Sequence, residues 1–247
     1  MIACSNSMPP GGREQAPQRR GIIARPRPGG ELETHGVTIN KPFTLYGRSG
    51  SGSLAVQVAL EEIGAPFECV WIGREPAAVA RYREVNPTGR VPALALPDGT
   101  IMFESAAILV HLALLNPQAG IAPQPGTTRH ATFLQWMVFL SANVYEAVLR
   151  IYYSQRYSSR GEADSEVVRA QGLADYRTHM ALIARNLQPY VLGSEYSIAD
   201  AYLYMLASWY PDREELCSRL PGLGAHWDLV RARPAVAKVE ADHAAHE

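Results

Sequence analysis

The chain is short of cysteine, of net charge and of long apolar runs, and each shortage excludes something. Three cysteines, Cys4, Cys69 and Cys217, are spread through 247 residues. They are too few and too scattered for a disulfide framework. No CxxC and no Cys/His cluster with ligand spacing appears, so no metal site is expected. Positive charge is not in surplus: 23 Lys+Arg against 24 Asp+Glu leave a formal charge of −1. Nucleic-acid binders usually carry a basic excess, so no nucleic-acid partner is expected. No run of about 18 apolar residues occurs, so no membrane association is expected. The start, Met1-Ile2-Ala3-Cys4, leads into polar residues and not into the apolar stretch of a secretory signal. These shortages point to a cytoplasmic chain with reduced thiols. A chain disordered throughout is excluded as well, because 47% of the residues are hydrophobic.

What is present divides unevenly. Residues 1–40 hold five Pro and six Gly, with five Arg against three Glu. Pro9-Pro10-Gly11-Gly12 and Pro26-Arg27-Pro28-Gly29-Gly30 do not fit helix interiors or central strands. Residues 1–40 therefore read as a disordered tail.

Order begins at Phe43. Phe43 to Tyr46 reads as a strand, Gly47 to Gly52 as a Gly/Ser loop, and Ser53 to Gly64 as a helix with Gly64 as its C-cap. Phe67 to Ile72 is a second strand with both faces covered, as in a sheet interior. Pro76 to Glu84 is a short helix, Val91 to Leu96 a strand, Pro97-Asp98-Gly99 a tight turn and Thr100 to Phe103 the return strand. Glu104 to Leu115 is a helix closed by Asn116-Pro117. The order β-α-β-α-β-β-α predicts a mixed sheet with helices on its faces, over residues 41–117.

Residues 118–127 form a Gly/Pro-rich connector, and residues 128–247 read as entirely helical. Phe133, Met137, Leu140, Val144, Val148 and Ile151 form one apolar stripe along a single long helix. A second long helix runs from Glu166 to Leu187. At Ser197-Ile198-Ala199-Asp200 a third begins, where Ser197 caps the first turn and Asp200 reaches back to it. Shorter helices follow at Asp212–Arg219, Leu223–Ala232 and Pro234–Ala245.

Four markers now stand in order. They are Asn86-Pro87-Thr88-Gly89-Arg90-Val91-Pro92, then Phe103-Glu104-Ser105-Ala106-Ala107-Ile108, then Ser197-Ile198-Ala199-Asp200, then Arg233-Pro234-Ala235-Val236. Together they resemble the cytosolic glutathione transferase superfamily, in particular its bacterial serine-type, beta-like or zeta-like members. The resemblance spans residues 42–245. It implies a thioredoxin-like domain followed by an all-helical domain, usually in a homodimer, with glutathione as co-substrate and no metal.

The physics of the markers can be argued beside the resemblance. A cis Val91-Pro92 bond would turn the Val91 N–H and C=O outward, where they can pair with an extended peptide as a short added strand does. In the family this residue holds the cysteinyl unit of glutathione. Glu104 and Ser105 stand at a helix N-terminus, where free N–H groups and the dipole favour a carboxylate. Ser105 would hold the γ-glutamyl carboxylate and Glu104 the α-amino group, unless both only cap the helix. Arg90 either binds a glutathione carboxylate or is a solvated side chain.

The loop Gly47-Arg48-Ser49-Gly50-Ser51-Gly52-Ser53 is where the family carries the Tyr, Ser or Cys that hydrogen-bonds to the glutathione sulfur. A fixed donor beside a helix N-terminus lowers a thiol pKa from near 8.5. Here the beta-class cysteine position falls on Gly52 and the first serine of the zeta-like loop falls on Gly50. Ser51 is the first candidate donor. Ser53 is second and is also the candidate N-cap of its helix. Ser49 is third, and Tyr46 resembles the placement in tyrosine-type members. For the electrophile, Trp136, Tyr145 and Tyr152 are candidates, with Asn143 and Tyr153 beside them; each aromatic is equally suited to packing.

The expected function is conjugation of the glutathione thiolate to small hydrophobic electrophiles, a detoxification chemistry. Two alternatives stand beside it. One is a zeta-like glutathione-dependent cis–trans isomerase. The other is a non-catalytic module of the same fold that binds a ligand or partner.

Overall fold

The computed structural model describes residues 41–247, and the reading of residues 1–40 as a tail lies outside them. The first half has the order β1 (Phe43–Gly47), α1 (Ser53–Glu62), β2 (Phe67–Trp71), α2 (Pro76–Tyr82), β3 (Ala93–Ala95), β4 (Ile101–Phe103) and α3 (Ser105–Leu115). The strands form one mixed sheet in the order β2-β1-β3-β4. β1 and β2 are parallel, as a βαβ crossover requires, and β3 runs antiparallel to both β1 and β4.

Each local signal has a structural outcome. Gly64 takes a φ of 64°, which a side chain would disfavour, and its N–H reaches Glu61 O at 3.1 Å to close α1. Gly99, at φ 92°, turns the β3–β4 hairpin, where Asp98 accepts from the Thr100 N–H at 2.8 Å.

Two expectations are corrected. β2 is an edge strand, not an interior one: Phe67, Cys69 and Trp71 are half-buried while Glu68 and Val70 face outward. A run of alternating large residues looked covered on both faces, but only one face meets the core. Ser53 is not the N-cap of α1. That position belongs to Gly52, and Ser53 is the first helical residue.

The second half is helical: α4 (Thr128–Phe139), a π-helical turn (Leu140–Tyr145), α5 (Glu146–Tyr152), α6 (Ser165–Ala184), α7 (Ile198–Ser208), α8 (Arg213–Arg219), α9 (Pro221–Arg231) and α10 (Pro234–Ala244). The single long helix expected from Phe133 to Ile151 is thus interrupted by the π turn. Its stripe remains buried throughout. The two successive spacings of four, Leu140 to Val144 to Val148, are the trace of the wider turn.

One apolar core joins the halves. Leu45, Leu60 and Ile108 from the first half pack in the same cluster as Tyr202, Met205 and Val239 from the second. Arg233 clamps the join, donating from Nε and Nη2 to the two carboxylate oxygens of Glu62 at 2.7 and 2.9 Å. The start of α10 is thereby tied to the end of α1.

The Asp200 carboxylate, fully buried, organises the helical half. It accepts from the Ser197 N–H at 2.8 Å, from the Ser197 hydroxyl at 3.1 Å and from the Val191 N–H at 2.7 Å. His226 Nε2 lies 2.9 Å from Oδ1, the oxygen that the Val191 N–H also uses, while both Ser197 bonds go to Oδ2. The expected cap of α7 is present, and it also fixes the preceding loop and α9. Removing one member of a buried charged network leaves its partners unsatisfied. Asp200→Ala is expected to cost about 3–5 kcal/mol in urea unfolding.

Candidate functional site

The site forms where β1, the N-terminus of α1, the β3 entry and the N-terminus of α3 converge. The β3–β4 register pairs Ala93 with Phe103, so Pro92 and Glu104 are brought side by side at one end of the sheet. Gly52 closes the group: a Cβ built on it would stand 3.1 Å from Pro92 Cδ and 3.7 Å from Val91 O.

The Val91-Pro92 bond is cis. No backbone hydrogen bond among the described residues uses the Val91 N–H or C=O. The segment leading to it is held rigidly. Asn86, itself buried, donates from Nδ2 to Arg90 O at 2.7 Å and accepts from the Thr88 N–H at 3.1 Å. Tyr82 adds its hydroxyl to Arg90 O at 3.0 Å. The Asn-Pro-Thr-Gly-Arg run is thus a platform that presents the Val91 backbone. The Arg90 side chain itself is exposed, and no hydrogen bond among the described residues engages its guanidinium.

Glu104 has φ 72°, the one positive-φ non-glycine residue among those described. Such a conformation costs about 1–3 kcal/mol and persists only where surrounding structure imposes it. It leaves the Glu104 side chain exposed at the N-terminal end of α3. Ser105 is buried, and its hydroxyl lies 3.0 Å from that of Tyr202 on α7. Tyr202 was not singled out in the sequence, because nothing local marks a contact across 97 positions.

The loop hydroxyls sort themselves by their partners. Ser49 is buried and donates to the main-chain oxygen of His243 at 2.8 Å, so it anchors the loop to α10 and does not face the site. Ser53 is 1% exposed; it accepts from the Arg48 N–H at 3.2 Å and donates to Arg48 O at 3.1 Å. Ser51 is half-buried, 2.7 Å from Arg48 O and 3.0 Å from the Ser53 hydroxyl. Ser51 Oγ also accepts from the Ser53 N–H at 3.3 Å, so Ser51 can turn toward a ligand only by giving up bonds inside the loop. Tyr46 stacks at a tilt on Tyr82, ring centres 6.0 Å apart.

Arg48, also missed in the sequence, staples the loop to the end of β2. It donates to Ile72 O at 3.0 Å and Gly73 O at 2.8 Å. Burial and the neighbouring Arg74 hold its pKa below the usual guanidinium value.

The aromatic candidates separate. Tyr145, at the end of the π turn, places its hydroxyl 3.0 Å from the Cβ position of Gly52. Its ring packs edge-on against Trp209, 5.4 Å between centres. Tyr152 is exposed and donates to Trp209 O at 2.6 Å, so Tyr145 and Tyr152 meet around Trp209. Trp136 is not brought there. It is buried against Phe139, and the hollow it lines contains Arg129, Gln188 and Leu192 but none of the site residues. A separate hollow of 540 Å³ between β2 and α10, lined by Glu61, Phe67, Trp71 and Asp242, likewise holds none of them.

Neither of the described cysteines, Cys69 and Cys217, is one of the residues gathered at this site. Burial, with Asp242 and Glu61 nearby, pushes the Cys69 thiol up to about 11, which keeps it protonated. No group of three metal-ligating side chains occurs among the described residues, and no described helix is long and apolar enough to cross a membrane.

Residues 53–115 match the family model described as glutathione S-transferase, N-terminal domain, and residues 143–243 match glutathione S-transferase, C-terminal domain. Glutathione S-transferase 3 of Zea mays is 30% identical over 214 residues, covering 81% of this chain and 94% of that protein. Glutathione S-transferase GstA of Escherichia coli O157:H7 is 28% identical over 78% of this chain and 94% of its own length. Among solved structures, a glutathione transferase homologue from Sulfitobacter with bound glutathione gives a TM-score of 0.74 at 29% identity, covering 81% of this chain and 98% of that one. A sphingomonad glutathione S-transferase complexed with glutathione gives 0.69 at 27% identity, covering 81% and 98%.

The anchor of the loop is sensitive to acid. His243 is buried, neither ring nitrogen has a partner, and its ring meets Trp71 edge-on at 5.1 Å. Burial lowers its pKa to about 4, against the opposing pull of Asp242 and with His246 adding to the depression. The unfolded chain therefore takes up a proton near 6.5 that the folded chain refuses until about 4. The stability contributed by neutral His243 is full above the unfolded pKa and is lost as pH falls between these values. Thermal unfolding across that range is expected to show a smaller acid-induced drop in Tm for His243→Phe than for the wild type.

Proposed function

The chain belongs to the glutathione S-transferase family, and from that premise we propose that it binds glutathione at the Val91–Ser105 end of the sheet and transfers it to small hydrophobic electrophiles. The observation that carries the reading is the presented Val91 backbone. It stands beside a helix N-terminus and a glycine with no side chain, a cradle shaped for an extended peptide carrying a carboxylate.

The chain's residues take these roles in the proposal. The Val91 N–H and C=O pair with the cysteinyl unit of the tripeptide, as an added strand would. The Ser105 hydroxyl and the free N–H groups of α3 hold the γ-glutamyl carboxylate, and Glu104 accepts from the α-amino group. Arg90, unengaged and exposed, pairs with a carboxylate of the ligand. Glutathione supplies a thiol, which reacts as its thiolate. That thiol lies over Gly52, at the N-terminus of α1, where the helix dipole and a nearby hydroxyl favour the ionised form. Ser51 is the loop hydroxyl able to reach it. Tyr145, Tyr152 and Trp209 offer an aromatic wall for the electrophile.

A second reading is favoured by one observation. Position 52 has no side chain, and the Ser49 and Ser53 hydroxyls are committed within the protein. A binding module of this fold would look the same. Calorimetry with glutathione, followed by turnover of an activated chloroarene, separates the two. Heat of binding with turnover is expected; binding without turnover of any electrophile favours the module, and no heat at millimolar glutathione sinks the transferase and leaves only a module for another ligand or partner.

We further propose a homodimer. Ile101 and Phe103 on β4, Leu114 and Leu115 on α3, and Leu134 and Val138 on α4 are exposed apolar residues on adjoining elements. Val138 is 63% exposed. Scattered apolar residues need no explanation, but a cluster on neighbouring elements marks an association surface. Val138→Arg is expected to shift the mass measured by light scattering from two chains to one.

A further inference from the structure

We propose that the hydroxyl of Tyr145, delivered from the helical half of the chain, is the hydrogen-bond donor to the glutathione sulfur. It takes the place of a loop side chain at position 52. The assignment rests on the transferase reading, and it moves the donor role given there to Ser51 onto Tyr145, which that reading placed in the aromatic wall.

The first argument concerns the glycine. Gly52 has φ −59° and ψ −9°, angles that any residue adopts. Its backbone does not need glycine; its surroundings do. A Cβ there would stand 3.0 Å from the Tyr145 hydroxyl oxygen, tighter than ordinary contact. The tyrosine hydroxyl therefore fills the space into which a residue-52 side chain would project. It points at the α1 N-terminus, beside Pro92 and the Val91 carbonyl.

The second argument is how the hydroxyl gets there. Tyr145 is the last residue of the π turn Leu140–Tyr145. A π turn adds a residue to the helical repeat and re-aims the side chains beyond it, and such turns are frequent at functional sites. Here the apolar stripe stays buried on both sides of the turn while Tyr145 is swung across to the first half of the chain. Trp209 holds the ring from the other side.

The third argument is availability. No hydrogen bond among the described residues uses the Tyr145 hydroxyl, whereas Ser49 and Ser53 are committed and Ser51 must first leave Arg48 O or Ser53. Burial, and then Tyr202, Tyr153 and Glu104, push the Tyr145 pKa up, with Arg90 opposing. The phenol thus stays protonated across the neutral range, as a donor to a thiolate must.

In the reaction, the thiol proton leaves to solvent and Tyr145 keeps its own. The sulfur electron pair forms the carbon–sulfur bond. The bond to the leaving group breaks, and that group departs with its electron pair as an anion. Tyr145 stabilises the thiolate before attack and is unchanged after it.

The test is a pH titration of the ultraviolet thiolate absorbance of glutathione bound to the full chain, alongside kcat for an activated chloroarene. Tyr145→Phe keeps the ring and removes only the donor. It is expected to raise the pKa of the bound thiol by about one to two units and to lower kcat about tenfold to a hundredfold, with glutathione affinity within about threefold of wild type. Gly52→Ala is expected to move the thiol in the same direction, because the new methyl displaces the hydroxyl. An unchanged thiol pKa in Tyr145→Phe, or a shift seen with Ser51→Ala instead, overturns the assignment. If the wild type binds no glutathione, the transferase reading itself fails; if it binds and ionises the thiol normally in Tyr145→Phe, only this assignment falls.

Discussion

Helix α1 leaves no face for water until its last two residues. Its residues from Ser53 to Leu60 are buried without a break. The sheet lies against it, and α3, α7 and α10 pack around it. A helix enclosed in this way fixes the position of its own N-terminus. The loop that leads into that N-terminus is fixed in turn: Arg48 fastens it to the end of β2, and Ser49 fastens it to α10. The candidate site is rigid because the central helix is rigid, and both halves of the chain supply the walls.

That enclosure explains which parts of the fold were legible in the sequence. Elements set by neighbours along the chain were readable. Gly64 ends α1, Pro97-Asp98-Gly99 turns the hairpin, and Ser197 with Asp200 starts α7. Each rests on a contact within a few residues. The failures depend on how the chain folds back on itself or on the exact winding of a helix. β2 looked interior because sequence shows which residues are apolar, not whether another strand lies beside them. Ser53 looked like a cap because the pull of Arg48 on its hydroxyl depends on the fold of the loop. The π turn left only the spacing of Leu140, Val144 and Val148, which a slightly irregular α-helix would also give.

The candidate site shows the same division more sharply. Arg90, Val91, Pro92, Glu104 and Ser105 could be named because they sit in two short segments, which the β3–β4 register then sets side by side. Trp136 and Tyr145 looked equivalent beside one helical stripe, yet only Tyr145 reaches the first half. Tyr202 and Arg48 carried no local mark at all. Asp200 lies between these cases. Its role at the start of α7 was readable, but its contacts with Val191 and His226, which make it the fastening of the helical half, were not.

The hydrogen bond from Ser49 to His243 has a consequence for the order in which the molecule is made. Its two ends are 194 positions apart. At a ribosomal pace of roughly 5–20 residues per second, about ten to forty seconds separate the emergence of the loop from that of its anchor. The strands and α1 can assemble in that interval, but the loop at the head of α1 is fastened only when α10 arrives. Tyr145 and Trp209 emerge between those two moments. A nascent chain can therefore hold its sheet while the candidate site is still open, and anything that favours the finished site rewards only the last step of folding, not the first.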